Sequence, residues 1–383
     1  MYNIKLSLNH SLVKKFLLIN ILILFVMSFF IIPTNDTYYY WTWAQHLQLS
    51  YFDGPPMIAY VIWLTTHIFG NNFFSLGLIS FICTLLASYI VYKITQLFAD
   101  KTSAMLASLI WLVYPFSTTR FIAISMTLDG LEVVFSLLIV YFTCKYLLTS
   151  QIKYIYALGV AVGFGLLAKY NVVILVLGII VFFMVQTNYR KIFINPHLYL
   201  AALISVIIFS PVLIWNYQND WLSFKYQLNS HSWSGASGAI NSADKHGLLG
   251  MWFYIKACVF GVLHILLVIA LVNRFKLKVE LPKNICNKLL MFIISFILLF
   301  WLYKSYSAHV GLNYMVTVSA LIIILVAQQL TRLNSAKFVW FILVLFSIIS
   351  LIMQVNRSIV HSKDQENYNK YVKSGLITRI LFN

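Results

Sequence analysis

Acidic residues are scarce in this chain: ten Asp and Glu stand against 27 Lys and Arg in 383 residues. Charged residues of either sign make up only 10%, hydrophobic ones reach 61%, and the mean hydropathy is +0.85. A soluble domain carries about 25% charged residues, so a soluble globular protein is excluded. The four cysteines are Cys83, Cys144, Cys258 and Cys286. None sits in a C-x-x-C, which excludes a disulfide framework and a thiolate metal site. Three lie in apolar runs and Cys286 reads as part of a basic loop. There is no strong internal repeat. The formal charge of +17 comes without an arginine-rich stripe or a nucleic-acid motif. Basic residues of a membrane protein collect in its cytoplasmic loops, so no nucleic-acid partner is expected.

What is abundant is long apolar sequence. A helix that crosses the hydrocarbon layer needs about 20 apolar residues. About eleven runs approach that length, near 16–33, 75–98, 103–116, 130–148, 154–168, 171–187, 198–215, 249–272, 288–303, 310–330 and 337–355. The expected class is an all-α polytopic membrane protein. The run 56–69 is shorter, begins at Pro55-Pro56 and reads as an interfacial helix. Residues 1–356 form the transmembrane domain in this reading, and 357–383 a short, outer C-terminal tail. Gly159 and Gly163 form a G-x-x-x-G, the spacing of close helix packing. The stretch 229–247 is rich in Ser, Gly, Ala and Asn and reads as an outer loop.

Alternating the spans sorts the loops into two sets. One holds Lys5, Lys14, Lys15, Lys93, Lys101, Lys145, Lys153, Arg190, Lys191, Arg274, Lys276, Lys278, Lys283, Lys288, Arg332 and Lys337. By the positive-inside rule this face, with the N-terminus, is cytoplasmic. The other face receives Asp36, Asp53, Asp129, Glu132, Asp220, Asp244, Asp364 and Glu366, eight of the ten carboxylates. Lys169, Arg120 and His309 also fall at outer span ends. Charge and hydropathy therefore place a hydrophilic site outside the cytoplasm.

The stretch 35–57, NDTYYYWTWAQHLQLSYFDGPPM, carries Asp36 and Asp53 among Tyr38, Tyr39, Tyr40, Trp41 and Trp43. The aromatics suit an interfacial belt or a surface for stacking on a sugar. Asp53 lies in a turn fixed by Gly54 and two prolines. In YPFSTTRFIAISMTLDGLE, 114–132, Arg120 precedes Asp129, and Glu132 follows one turn later. Asp129 suits a helix N-cap as well as a site. GLLAKYN, 165–171, puts Lys169 between two apolar runs with almost no loop. A lysine at hydrocarbon depth costs roughly 2.5–3.5 kcal/mol. It either snorkels to the interface or pairs with a lipid phosphate.

These parts suit one reaction class. A sugar carried on a polyprenyl phosphate presents itself at the membrane surface. The acceptor hydroxyl needs a general base, which a carboxylate supplies. The departing phosphate needs a cation, for which Lys169, Arg120 and His309 are placed. Direct displacement inverts the anomeric centre. A transporter or flippase is the reading from another class. It expects ionisable residues at the midplane of broken helices in paired repeats, whereas here the charges gather at one face.

The chain resembles the bacterial GT-C glycosyltransferases, of the protein O-mannosyltransferase and lipid A aminoarabinose transferase type. DTYYYWTWAQHLQLSYFDGPP is similar to the first outer-loop signature and YPFSTTRFIAISMTLDGL to the second aspartate motif. GVAVGFGLLAKYNVVILVLG resembles the lysine-bearing segment and SPVLIWNYQNDWLSFKYQ the next outer-loop entry. AHVGLNY, 308–314, resembles a later histidine segment. The resemblance implies a GT-C fold with interfacial helices in the first outer loop. It implies Asp36 as the catalytic carboxylate, Asp129 in the pocket, and Lys169 on the carrier phosphate. Tyr39, Asp53, Trp215, Asn216, Trp221 and Phe224 would line the sugar or lipid cavity. The implied partners are membrane lipids, an undecaprenyl-phosphate-linked sugar donor, and lipid A or another envelope glycan as acceptor. A protein hydroxyl is the alternative acceptor. The implied location is the bacterial inner membrane, with the active site periplasmic. No cofactor is expected, and without an Asp-x-Asp at Asp36 a divalent metal is unsupported, a metal held by Asp36 and Asp129 being the alternative. Three positions depart from the pattern: Thr37 follows the first aspartate where the family usually has an acid, Gly54 stands where it often has histidine, and Val310 stands where an aromatic follows the later histidine.

Overall fold

A computed structural model describes residues 10–29, 35–114, 127–230, 247–256, 284–307, 310–331 and 336–362. Among these the structure is helical and contains no strand. The helices are α1 (His10–Ser28), α2 (Asn35–Gln45), α3 (Met57–Phe69), α4 (Phe73–Gln96), α5 (Lys101–Val113), α6 (Leu128–Thr149) and α7 (Lys153–Ala168). They continue with α8 (Val172–Val185), α9 (Pro196–Gln218), α10 (Leu222–Ser230), α11 (Ile285–Lys304), α12 (Val316–Leu330) and α13 (Ala336–Ser362).

Asx residues set several helix starts. Asn72 accepts from the Ser75 amide at 3.1 Å, and Asp100 accepts from the Ser103 amide at 2.9 Å. Asn195 caps α9, with Pro196 at its first position, and Asn284 caps α11. Such caps occupy amides that a helix start leaves without partners. Asp100, one of the two carboxylates assigned to the cytoplasmic face, is accounted for in this way.

Seven described helices are long and apolar enough to cross a membrane, and eight if α8 and the 3₁₀ helix Thr187–Ile194, bent by 115°, count as one. The chain is a multi-pass membrane protein. Each expected run has a helix at its place, although 249–272 is described only up to residue 256. Among the described residues α5 and α7 are shorter than a full crossing and α8 turns away after Val185, so fewer than eleven helices there have full spanning length. α3, over the short run after Pro56, has 13 residues. α13 runs on to Ser362, past the expected boundary at 357. Cys286 is not in a loop: it lies in the first turn of α11, buried, with its thiol 4.0 Å from the Cys144 carbonyl.

α4, α5, α6 and α12 form the centre, filled by residues such as Ile94, Trp111, Leu137 and Ile323. α9 presents Leu203, Val206 and Ile207 outward, as a lipid-facing helix does. Its other side packs against α7, and there the G-x-x-x-G reading holds. A Cβ on Gly159 would lie 2.4 Å from the Ala201 carbonyl oxygen, and one on Gly163 2.7 Å from Ile208 Cβ. At the α11–α12 contact, Asn287 and Gln328 exchange side-chain hydrogen bonds of 3.2 and 3.1 Å, both buried. The Ser103 and Thr331 hydroxyls meet nearby at 2.8 Å.

Candidate active site

At the opposite end of the bundle the tips of α2, α6, α7 and α10 converge. Asp36 lies in the first turn of α2. Asp129 is the second residue of α6 and is buried. It is not the N-cap, which is Thr127. The Thr127 hydroxyl donates to Asp129 Oδ2 at 3.0 Å. Glu132 follows one turn on, buried on the same side. α7 ends at Ala168 and α8 begins at Val172. The short turn between them projects Lys169 toward α6.

Lys169 does not snorkel free. Its ammonium lies 2.5 Å from Asp129 Oδ1 and 3.0 Å from Glu132 Oε2, with the three side chains 13%, 7% and 10% exposed. The Tyr314 ring lies beneath it, 5.1 Å from Nζ to the centroid. Two buried carboxylates thus share one ammonium.

Asp36 keeps an exposed side chain, yet the protein around it raises its carboxyl above the ordinary value. The charge of Asp129 adds to that shift and Lys169 opposes it. Burial also raises the Tyr40 phenol, with Asp36, Asp53 and Asp129 contributing in turn. Asp36, Asp53, Asp129 and Lys169 therefore share one electrostatic neighbourhood.

Asp53 sits in the turn between α2 and α3. Burial pushes its carboxyl up to about 6, although the Tyr39 hydroxyl donates to Oδ1 at 3.1 Å. The loop is braced from several sides. Tyr51 stacks on Trp43 at 4.0 Å, and its amide donates to the Gly54 carbonyl at 3.1 Å. Phe52 packs on Tyr226 at 4.4 Å, and the Gln227 amide donates to the Asp53 carbonyl. The aromatics of α2 are therefore not a simple outward belt. Trp43 is buried, and the Trp41 indole donates to Asn71 at 2.7 Å. The departures at Thr37 and Gly54 also have a setting. Thr37 is fully buried, so an acid there would face the core. A side chain at Gly54 would meet the Trp43 ring at 3.4 Å.

Beyond α9 the chain reverses through Asp220 and Trp221, with φ of 52° and 60°. That is an outlying conformation for a bulky residue. Asn216 braces the corner: it is fully buried, its Nδ2 donates to the Val212 carbonyl, and its Oδ1 accepts from the Phe224 amide. Its amide shapes the turn. Trp221 is exposed and stacks on Phe224 at 6.0 Å. The Trp215 indole donates to Gln48 Oε1 at 3.1 Å, which ties the corner to the Asp53 loop. Arg120 and His309 lie outside the described residues.

Sequence reasoning missed Tyr170, Ser50, Ser223 and Gln227. The Tyr170 hydroxyl meets Ser223 Oγ at 3.0 Å and Ser50 Oγ at 3.3 Å, joining the lysine turn, α10 and the Asp53 loop. These partners lie 53 and 120 residues from Tyr170, and nothing in the sequence links them. Among the described residues, no group of three or more His, Cys, Asp or Glu is arranged to hold a metal ion.

The all-helical membrane bundle, with carboxylates and one lysine gathered at the tips of α2, α6 and α7, has the GT-C fold. The chain superposes on ArnT from Cupriavidus metallidurans, solved with undecaprenyl phosphate, with a TM-score of 0.68 at 15% identity. The match covers 93% of this chain and 73% of that one. An oligosaccharyltransferase from Archaeoglobus fulgidus matches with a TM-score of 0.52 at 14% identity, over 90% of this chain and 53% of that one. Residues 53–215 match the protein-family model described as dolichyl-phosphate-mannose-protein mannosyltransferase. The lipid A galacturonosyltransferase RgtD of Rhizobium johnstonii is 24% identical over 203 residues, 52% of this chain and 41% of that protein. The chain thus has the GT-C fold seen in ArnT, and its match spans less than half of the curated relative.

Proposed function

We propose that this chain is an inner-membrane glycosyltransferase that moves a sugar from a polyprenyl phosphate carrier to an envelope acceptor at the periplasmic face. Lipid A, or another lipopolysaccharide component, is the preferred acceptor. The observation that carries the reading is the convergence of Asp36, Asp129 and Lys169 at one end of a GT-C bundle. The likeness to a structure solved with undecaprenyl phosphate and to a lipid A galacturonosyltransferase supports it.

Asp36 takes the proton of the acceptor hydroxyl. A carboxyl raised by its surroundings and by Asp129 is a stronger base than an ordinary surface aspartate. The acceptor oxygen bonds to the anomeric carbon as the bond from that carbon to the phosphate oxygen breaks. The electron pair leaves on the polyprenyl phosphate, and the anomeric configuration inverts. Lys169 faces the leaving phosphate, with Arg120 and His309 as further cations of the same segments. Tyr39 holds Asp53 toward the sugar, and Trp215, Trp221 and Phe224 offer apolar and stacking surface. Asn216 keeps that corner in shape.

Mass spectrometry of lipid A from wild-type, deletion and Asp36→Asn cells tests the reading. A sugar-sized mass lost in both mutants is the expected outcome. Unchanged lipid A in the deletion removes that acceptor. A loss in the deletion alone removes Asp36 from the catalytic role. The family description over residues 53–215 favours one second reading, transfer to a protein hydroxyl. It predicts glycoproteins that disappear in the deletion while lipid A stays the same.

A further inference from the structure

The shared lysine leaves a surplus of charge. Asp129 and Glu132 bring two negative charges to one ammonium, all three side chains at most 13% exposed. Neutral packing would need only one acid. The contacts differ, too. Asp129 makes the 2.5 Å hydrogen bond to Lys169 and a second to the Thr127 hydroxyl. Glu132 Oε2 lies 3.0 Å from the same Nζ, and no other group satisfies this buried oxygen. A second buried carboxylate on an ammonium that Asp129 already engages is costly, and such groups call for an explanation.

We infer that Glu132 is a positioning residue that limits how tightly Lys169 holds the carrier phosphate, and so sets the release of the spent lipid. The inference rests on the proposed transfer from a polyprenyl phosphate. After transfer the carrier leaves as a phosphate monoester, which bears more negative charge than the diester that arrived. A site with a lysine balanced by Asp129 alone would bind that product more tightly than the donor and stall. Glu132 sits against the same ammonium and repels the added charge. Its effect is larger for the monoester than for the diester, so it weakens product binding more than donor binding. Glu132 touches neither the sugar nor the acceptor in this scheme, and it acts through Lys169.

Glu132→Gln keeps the shape and removes the charge. The test measures binding of a short-chain polyprenyl phosphate, with the matching polyprenol as control, to full-length protein in detergent. The wild type, Glu132→Gln, Lys169→Gln and Glu132→Asp are compared. Removing one unit charge close to the ammonium is expected to tighten phosphate binding by roughly five- to tenfold, with polyprenol binding unchanged. Lys169→Gln loses the preference for phosphate over alcohol, and Glu132→Asp restores the wild-type value. In turnover, Glu132→Gln lowers kcat and KM for the donor together, and added polyprenyl phosphate inhibits it more strongly. Equal or weaker phosphate binding in Glu132→Gln overturns the inference, as does a fall in kcat with unchanged KM and unchanged product inhibition. A wild type that binds polyprenol as well as polyprenyl phosphate overturns the proposed function itself, a separable outcome.

Discussion

The bundle buries polar side chains at both ends, and the two ends follow opposite rules. At one end Asn287 and Gln328 satisfy each other in a reciprocal amide pair, and Ser103 and Thr331 do the same with hydroxyls. These groups are neutral and closed. At the other end Lys169, Asp129 and Glu132 are charged and unequal in number, with Asp36 and Asp53 close enough to be felt. Satisfied neutral pairs fix helix register at small net cost. Ionised groups at membrane depth are expensive and mark a site. The contrast separates polar residues that hold the bundle from those that would work in the proposed transfer.

The largest effect that would break the contrast is at Asp36. Asp36→Asn should lower turnover by about 100-fold or more, with the melting temperature in detergent unchanged. A variant of near wild-type rate would remove the base from this end. Lys169→Met should cost about 3–5 kcal/mol of stability, because it leaves two buried carboxylates without a cation. Adding Asp129→Asn to it should recover much of that stability without recovering activity. Thermal denaturation of the single and double variants, read beside turnover, checks both statements.

Asp53 gives a pH signature. Its folded value, about 6, lies above the ordinary 3.8. The folded state therefore binds this proton more tightly than the unfolded chain does. Stability falls as pH rises from about 4 to about 6 and is level above that, by at most about 3 kcal/mol. Asp53→Asn should flatten this slope in melts taken from pH 4.5 upward. At the neutral end the effects are smallest. Asn287→Leu should cost about 1–3 kcal/mol by orphaning Gln328, while Asn287→Leu with Gln328→Leu should return close to wild type. Turnover should follow stability there and nowhere else.

Much of this was legible in the sequence. Long apolar runs gave the class and the position of nearly every helix. The clustering of Asp36, Asp53, Asp129 and Lys169 at one end followed from hydropathy and charge, since charges gather at span ends. The length of α5, the break after α8 and the burial of Cys286 were not legible, because an apolar run shows only where a helix is tolerated. The pairing of Lys169 with Glu132 as well as Asp129 needed three dimensions, since α6 and α7 set that distance. Tyr170 and Gln227 carried no signal either. A tyrosine in an apolar stretch reads as packing until its hydroxyl is seen between Ser50 and Ser223.

Gly159 and Gly163 have a mechanical meaning as well. Gly159 lets α7 meet the Ala201 carbonyl of α9, and Gly163 makes room for the Ile208 side chain, so the two helices interlock as one plank. The lysine turn continues from the end of α7 and the Trp215 to Phe224 corner from the end of α9. Neither helix can slide past the other without a collision at these glycines. The Asp53 loop is fastened to this plank by Tyr170–Ser50, Trp215–Gln48 and Gln227–Asp53, bonds that side-chain rotation alone can open. Stiffness and give are thus divided: the cation and the aromatic corner keep a fixed spacing, and adjustment to a bulky guest falls to the loop that carries the carboxylate.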